Sequence, residues 1–349
     1  MTTSPLGRLS EIPRAELARV PTPLEPLPRL GAELGLRLFV KRDDETGLAM
    51  GGNKVRQLEY YFGAARAEGA DTILITGAVQ SNFMRLAAAA AAKLGMAAHV
   101  QLEDRVPGKG PDYARSGNVL LMDLLGAVKH SYPEGEDEAG ADARLGELAG
   151  EIQRTGGRPY IIPLAPGHPP LGALGYVQAA REIAAQMAAR DQDFDAVVVA
   201  SGSGLTHSGL LFGLRALGQR VPVQGICVRR PAEAQRARIA AKCHDLAVML
   251  EIPAPVSPED ILIDDTALAP GYGRPSAAVG EAIRLAATRE GLLLDPVYSG
   301  KVMAGLTGLA RAGAWPEGAR VLFIHTGGTP ALFAYGEELR ATAGLATTP

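Results

Sequence analysis

Lys54 carries the most chemistry in this chain, because of what surrounds it. It follows Gly51-Gly52-Asn53 and opens a stretch in which Val55, Leu58, Tyr61 and Phe62 recur at helical spacing. Two glycines and an asparagine make a tight turn, since they reach backbone conformations closed to other residues. Lys54 is therefore expected in the first turn of a helix. Unpaired amide N–H groups and the positive end of the macrodipole disfavour an ammonium there. A lysine with a lowered pKa is a nucleophilic amine that attacks carbonyls; the alternative is an ordinary solvated surface lysine. A second stretch, Ser201-Gly202-Ser203-Gly204-Leu205-Thr206, lies between the apolar run Ala196–Ala200 and the helical pattern of Ser208–Leu217. It offers several backbone N–H groups and hydroxyls to one anion, the makings of a phosphate cradle. Taken alone it is also a plain strand-to-helix turn. It has neither the Gly-Lys-Ser/Thr ending of a nucleotide P-loop nor the dinucleotide Gly-x-Gly-x-x-Gly pattern. No acid lies at Gly218–Val221, where a nicotinamide dehydrogenase would place a ribose-binding carboxylate. A carbonyl-reactive lysine and a phosphate cradle together suggest pyridoxal phosphate (PLP).

These residues need a scaffold, and the hydrophobic pattern predicts one. Strands are expected at Arg37–Lys41, Thr72–Thr76, Ala98–Leu102, Tyr160–Pro163, Ala196–Ala200, Val223–Val228 and Val321–His325. Helices are expected at Leu27–Leu34, after Lys54, and at Phe83–Leu94, Val119–Leu125, Leu171–Ala189, Ser208–Leu217, Ala232–Ala247, Ala277–Glu290 and Pro330–Tyr335. Residues 1–30 read as Pro-rich and irregular, and Glu134–Asp142 as a solvated loop or helix start. Alternating strands and helices make parallel, doubly wound α/β sheets. The loops Gly77–Asn82, Ser201–Thr206 and Thr326–Thr329 each follow a strand, where open α/β sheets bind ligands. Ser81 or Asn82 is placed to cap the next helix.

The 349 residues exceed what one core usually organises, so two domains are expected. Hydrophobic residues make up 47% and the mean hydropathy is +0.05, ample for a buried core. A formal net charge of -3, well mixed, gives no sign of a nucleic-acid or membrane-surface partner. Lys93 ends the Ala87–Ala92 run far short of a membrane span. Arg8, Glu11, Arg14 and Glu16 are inconsistent with a signal peptide. Cys227 and Cys243 are expected as free thiols in a cytoplasmic protein, and the six scattered histidines make no metal pattern.

Six motifs in order then carry a resemblance: Gly51-Gly52-Asn53-Lys54, Gln80-Ser81-Asn82, Ser201–Thr206 with His207, Ala269-Pro270-Gly271-Tyr272-Gly273, Asp295-Pro296-Val297-Tyr298 and His325-Thr326-Gly327-Gly328. Together, from Pro21 to Tyr335, the chain resembles the D-cysteine desulfhydrase / 1-aminocyclopropane-1-carboxylate (ACC) deaminase family of fold-type II, tryptophan synthase β-like, PLP-dependent enzymes. The resemblance implies two open, twisted, mostly parallel sheets with flanking helices and PLP between two domains. Residues 1–48 and 166–349 would form the large domain and 49–165 the small one. It implies a homodimer and a small amino-acid substrate. By resemblance Lys54 holds PLP and moves a substrate proton, Asn82 bonds the ring hydroxyl, and Ser81 meets the substrate carboxylate or assists proton transfer. Ser203, Gly204, Leu205 and Thr206 form the phosphate loop. Tyr272 and Tyr298 are the active-site tyrosines, and Thr326 lies near the ring.

Branch within the family turns on position 299. ACC deaminases place a Glu there against the pyridine nitrogen; this chain has Ser299, which implies a nearly neutral nitrogen. That points to the desulfhydrase-like branch, in which α,β-elimination of D-cysteine yields pyruvate, ammonia and hydrogen sulfide. Departures leave a changed substrate open, with L-cysteate sulfo-lyase, ACC deaminase and a non-catalytic PLP-binding protein as alternatives. Phe83 stands where desulfhydrase-type members carry His, and an apolar ring cannot shuttle a proton. It is expected either to pack in the small domain or to reshape the substrate-binding pocket. Leu205 replaces a Gly in the phosphate loop, and His207 keeps a structural place. A sulfonate substrate would want an extra cation, and Arg85 lies one turn on from Ser81.

Overall fold

The computed structural model describes residues 4–345. Ten strands form two sheets: β1 (Leu24–Pro26), β2 (Arg37–Lys41), β3 (Thr72–Ala78), β4 (Ala97–Glu103), β5 (Val128–Tyr132), β6 (Pro159–Ile162), β7 (Ala196–Ser201), β8 (Val223–Cys227), β9 (Leu262–Asp264) and β10 (Arg320–Ile324). The larger sheet has the order β1-β2-β10-β7-β8-β9, and the smaller β5-β4-β3-β6. All neighbours run parallel except β1 and β2, which are antiparallel.

The apolar runs explain why helices cover both faces. All of β3 and β7 is buried, as a parallel sheet requires. Side chains of the large sheet alternate between two cores: Val197, Val199, Leu322 and Ile324 face one, while Ala196, Val198, Val321 and Phe323 face the other. The small sheet sends Ile73 and Ile75 to a core shared with the Ala-rich helix Asn82–Leu94. Its other face packs Leu74 on Leu145 and Leu148 of the helix Glu138–Arg154.

Several elements differ from the sequence expectation. The strands β1, β5 and β9 were not expected, and all three are sheet edges. Edge strands need no apolar run; β5 reads Val-Lys-His-Ser-Tyr and none of its residues is fully buried. The acidic stretch, by contrast, matches the second of its two readings: it is the start of the helix Glu138–Arg154, capped by Asp137, whose carboxylate accepts from the Gly140 amide at 2.9 Å. The helix Ser299–Arg311 was hidden by its glycines, which lower helix propensity.

A buried ionic network joins the first helix of the site to the large sheet. The Arg56 guanidinium donates to both Asp43 oxygens at 3.0 and 2.8 Å and to Glu182 at 2.9 Å. Thr22 and Tyr176 also donate to Asp43, at 2.8 and 2.5 Å. Lys41 donates to Glu182, to the Thr22 carbonyl at 2.6 Å and to Gln186 at 2.8 Å. Burial lowers the Lys41 amine while Lys41 and Arg56 together hold Glu182 low. We take both groups as ionised, because three acceptors surround the ammonium.

Candidate active site

The carboxyl ends of β3, β7 and β10 point their loops at one cleft, with Lys54 opposite. The cleft encloses about 490 Å³ of empty space, its open mouth included. Lys54, Ser81, Asn82, Phe83, Ser203, Gly204, Thr206, Tyr298 and Thr326 line it. A second chamber of about 560 Å³ continues from it, sharing Lys54, Ser81, Phe83 and Tyr298 and adding Tyr272. Of the residues singled out from the sequence, Leu205, Ser299, Arg85 and His207 line neither. The Leu205 side chain packs into the large core and leaves only its backbone at the loop.

Lys54 is the first residue of the helix Lys54–Ala67, as its turn foretold. Its amine is lowered to about 8, and the cause is desolvation by burial rather than the helix end. Its nearest acceptor is Gln57 Oε1 at a long 3.4 Å, and the ammonium lies 5.3 Å from the centre of the Phe83 ring. Phe83 thus packs into the small core beside Tyr61, 6.2 Å between rings, and at the same time walls the cleft. Its ring lends the amine an apolar neighbour.

Two hydroxyl and amide groups are oriented by partners the sequence did not reveal. Thr206 Oγ1 accepts from Asn53 Nδ2 and Gln57 Nε2, each at 2.8 Å. A hydroxyl has two lone pairs and one proton. Both lone pairs are used, so the Thr206 proton is left to donate to an anion in the cleft. Gly204 beside it has φ +94°, and a Cβ there would also press on Ile239 and Lys242 at 3.2 Å. The Gly202 and Ser203 carbonyls accept from Arg230 at 3.2 Å and from Arg238 at 3.0 Å, which sets two guanidinium charges behind the loop. On the other side, Asn82 Oδ1 accepts from Asn118 Nδ2 at 2.8 Å and from Arg85 at 3.5 Å. That leaves the Asn82 amide N–H pair as its donor face. Ser81 caps the helix Asn82–Leu94, its Oγ accepting from the Met84 amide at 3.2 Å.

Arg85, one turn on from Ser81, does not line the substrate chamber. It is fully buried and holds Asn118, Asn82 and the carbonyls of Ala49 and Gly51. It therefore ties the loop before Lys54 to the helix that carries Asn82. Ser299 also lies deeper than expected. Its hydroxyl donates to Asp295 Oδ1 at 2.7 Å and accepts from the Asp295 amide at 2.8 Å. Burial pushes the Asp295 carboxyl up, against the pull of Ser299 and three backbone amides.

Tyr272 and Tyr298 form a pair, with their hydroxyl oxygens 2.6 Å apart. Burial raises both above the usual phenol range, so both are neutral at pH 7. One hydroxyl donates to the other, and the acceptor's proton remains for a group in the chamber. Arginines missed by the sequence reading line the same chamber: Arg105, Arg229 and Arg238, with Glu138. Arg229 lies two residues beyond the strand β8, and a charged residue near a strand's carboxyl end was a usable signal.

This donor set fits PLP: a desolvated lysine, an anion cradle with a committed hydroxyl proton, and an amide donor held from behind. Thr206→Val should weaken PLP binding on the order of tenfold to a hundredfold, since it removes a donor and leaves two amides unpaired. Thr206→Ser should retain most of the affinity. Reconstitution of apoprotein with PLP, followed by fluorescence, measures it; equal affinities for both variants and the parent would refute the assignment.

Comparison with known proteins agrees with this geometry. The chain is 45% identical to a D-cysteine desulfhydrase of Salmonella choleraesuis (strain SC-B67) over 331 residues, which are 95% of this chain and 98% of that one. A D-cysteine desulfhydrase of Salmonella paratyphi C (strain RKS4594) matches to the same extent. A crystal structure of an ACC deaminase homologue superposes with a TM-score of 0.85 at 38% identity, covering 98% of this chain and all of that one. A fungal L-serine ammonia-lyase from Rhizomucor miehei shares the fold, with a TM-score of 0.65 at 20% identity over 93% of this chain and 98% of that one. The family described as pyridoxal-phosphate dependent enzyme matches residues 15–327. With that match spanning most of the chain, and with a lysine, an anion cradle and an amide donor gathered in one cleft, the chain belongs to the family of pyridoxal-phosphate dependent enzymes.

Proposed function

We propose that the chain is a carbon–sulfur lyase that converts D-cysteine to pyruvate, ammonia and hydrogen sulfide. The observation that carries this reading is the shared chamber. A desolvated Lys54 amine and the hydroxyl-bonded Tyr272–Tyr298 pair face the same space, so a proton acceptor and a proton donor meet one substrate. The 45% identity to D-cysteine desulfhydrases over nearly the whole chain supports the substrate.

Bound PLP supplies an electron sink for the charge left when the Cα proton departs. The chain's own groups do the rest. Thr206, Ser203 and the Gly204 amide hold the phosphate, and Asn82 donates to the ring hydroxyl. Ser81 donates to the substrate carboxylate. Lys54 takes the Cα proton as its free base, and the tyrosine pair returns a proton to the departing sulfur. Phe83 keeps water from the amine. Pyruvate and sulfide release from D-cysteine by the PLP-loaded protein tests the reading. Equal amounts of both products are expected; a yellow protein releasing neither would overturn the substrate assignment while leaving the family intact.

We further propose a homodimer. Leu120 and Leu124 of the helix Gly117–Leu124 are 49% and 75% exposed, and Phe333 of the adjacent helix Ala331–Ala334 is 69% exposed. Such an apolar patch favours a partner surface. We assign the domain boundaries on sheet membership: β3 to β6 lie within 49–165, and the remaining strands lie outside it. A cytoplasmic setting suits Cys227 and Cys243, both free and buried. Among the described residues no helix is long and apolar enough to cross a membrane.

A further inference from the structure

The loop Ser201–Thr206 is gripped from behind by one face of the helix Ala232–Leu250. Gln235 Nε2 donates to Ser201 Oγ at 2.9 Å, and Arg238 Nε donates to the Ser203 carbonyl at 3.0 Å. Arg230, just before that helix, donates to the Gly202 carbonyl at 3.2 Å. These peptide bonds are trans, and a trans peptide points its N–H opposite to its C=O. Holding the Gly202 and Ser203 carbonyls to the rear therefore turns the Ser203 and Gly204 N–H groups toward the cleft, which both residues line. Among the described residues neither amide has a protein acceptor.

One carboxylate holds both guanidinium groups. Glu138 Oε1 accepts from Arg230, and Oε2 accepts from Arg238 at 3.4 Å. Oε1 also accepts from Arg229 at 2.8 Å. Glu138 opens the helix Glu138–Arg154, which packs on the small sheet, whereas the loop follows β7 of the large sheet. The carboxylate also keeps three like charges together. Without it Arg229, Arg230 and Arg238 repel one another, and the two that touch the loop are driven off its carbonyls.

We propose that Glu138 is a positioning residue for the cofactor phosphate: through Arg230 and Arg238 it fixes two peptide units of the loop with their N–H groups facing the phosphate. The role rests on the phosphate-loop assignment above and deepens it. It also ties the small sheet to the cofactor. A carboxylate carried by one sheet sets the loop of the other, so phosphate binding and the seating of the two sheets favour each other.

The sign of one substitution separates orientation from charge. Were the arginines only a source of charge, removing the Glu138 carboxylate would raise the positive potential at the loop and tighten phosphate binding. Acting by orienting peptides, they lose their hold and binding weakens. Titration of apoprotein with PLP and with pyridoxal, which lacks the phosphate, reads the difference by fluorescence. Glu138→Gln should weaken PLP binding by about tenfold, the scale of one charge-assisted hydrogen bond, and leave pyridoxal binding unchanged. Unchanged or tighter PLP binding in that variant overturns the proposal. So does an equal loss for both ligands, which marks a general packing role. A parent protein that binds pyridoxal as tightly as PLP overturns the phosphate assignment as well; a parent preference that survives Glu138→Gln overturns the positioning role alone. If Glu138→Gln does not fold, Arg230→Gln decides, since Arg230 is the more exposed of the two loop-holding arginines. Its preference for PLP over pyridoxal should fall in the same way, and an undiminished preference refutes the role. No turnover enters the measurement, so failure of D-cysteine as a substrate leaves it readable.

Discussion

Lys54→Ala should lose covalent attachment of PLP and drop D-cysteine turnover by about 10²–10⁴-fold, the range of a lost general base, or more. The argument is local. The Lys54 amine is desolvated to about 8, has only a long contact to Gln57, and stands in the cleft with the phosphate loop. Among the described residues no other lysine lines that cleft. Borohydride reduction and peptide mass spectrometry of the loaded protein should place PLP on Lys54; an adduct on another lysine, or full turnover in the alanine variant, would sink the assignment. A pH signature accompanies it. PLP capture by apoprotein requires the free amine, so its rate should rise with pH and level off above about 8, not near the usual lysine value of 10.5. Stability follows the same linkage. The folded amine binds its proton less tightly than the unfolded one, so between about 8 and 10.5 the unfolded chain holds more protons. Apoprotein stability should therefore rise across that window, and Lys54→Met should remove the rise.

The motif-bearing residues of the site were legible in the sequence, and the residues that orient them were not. Lys54, Asn82, Thr206 and Tyr298 announce themselves because they stand beside glycines or at strand ends, where backbone turns expose them. Gln57, Asn118 and Arg85 act through hydrogen bonds to residues far away in the chain, and nothing in their local sequence distinguishes them from surface polar residues. The lowered Lys54 amine was foreseen from the helix end, yet burial causes it, a property of packing across both cores. Arg85 shows the same limit in reverse. Its spacing left its role open, and tertiary contacts commit it to the loop before Lys54. The fold divides similarly. Continuous apolar runs such as Thr72–Thr76 and Ala196–Ala200 fixed the central strands, whereas β1, β5 and β9 exist because a neighbour offers an edge. The helix Ser299–Arg311 needs its glycines for packing: a Cβ at Gly300 would stand 2.6 Å from the Asp295 carbonyl, and one at Gly305 2.8 Å from Ile226. Propensity and packing conflict there, and packing wins.

Arg56→Met should destabilise the protein by about 3–5 kcal/mol, the cost of breaking a buried ion pair on one side. Arg56 is 3% exposed and Asp43 is fully buried, so water cannot take over the lost bonds. Wild type balances Lys41 and Arg56 against Asp43 and Glu182. The variant leaves two carboxylates with one cation, and Asp43 keeps only Thr22 and Tyr176 as donors. The sign with pH is fixed by Asp43. Burial alone would raise its carboxyl, but Arg56 and its other partners hold it below the usual value of 3.8. Its contribution is complete above that value and is lost as pH falls through the lower folded value. The variant should therefore lose most stability near neutral pH and converge on wild type in acid. Urea unfolding at pH 7 and at acid pH measures both; a loss under about 1 kcal/mol at pH 7, within the range of exposed pairs, would show that the network is worth no more than a surface bridge. A double-mutant cycle with Asp43→Asn isolates the pair, and a coupling well above 1 kcal/mol is expected because the two groups touch directly. Function should follow stability here. Arg56 sits two residues after Lys54 on the same helix and pins it to Asp43, just past β2, and to the helix Leu174–Ala189, so the methionine variant should also bind PLP more weakly while Lys54 itself is intact.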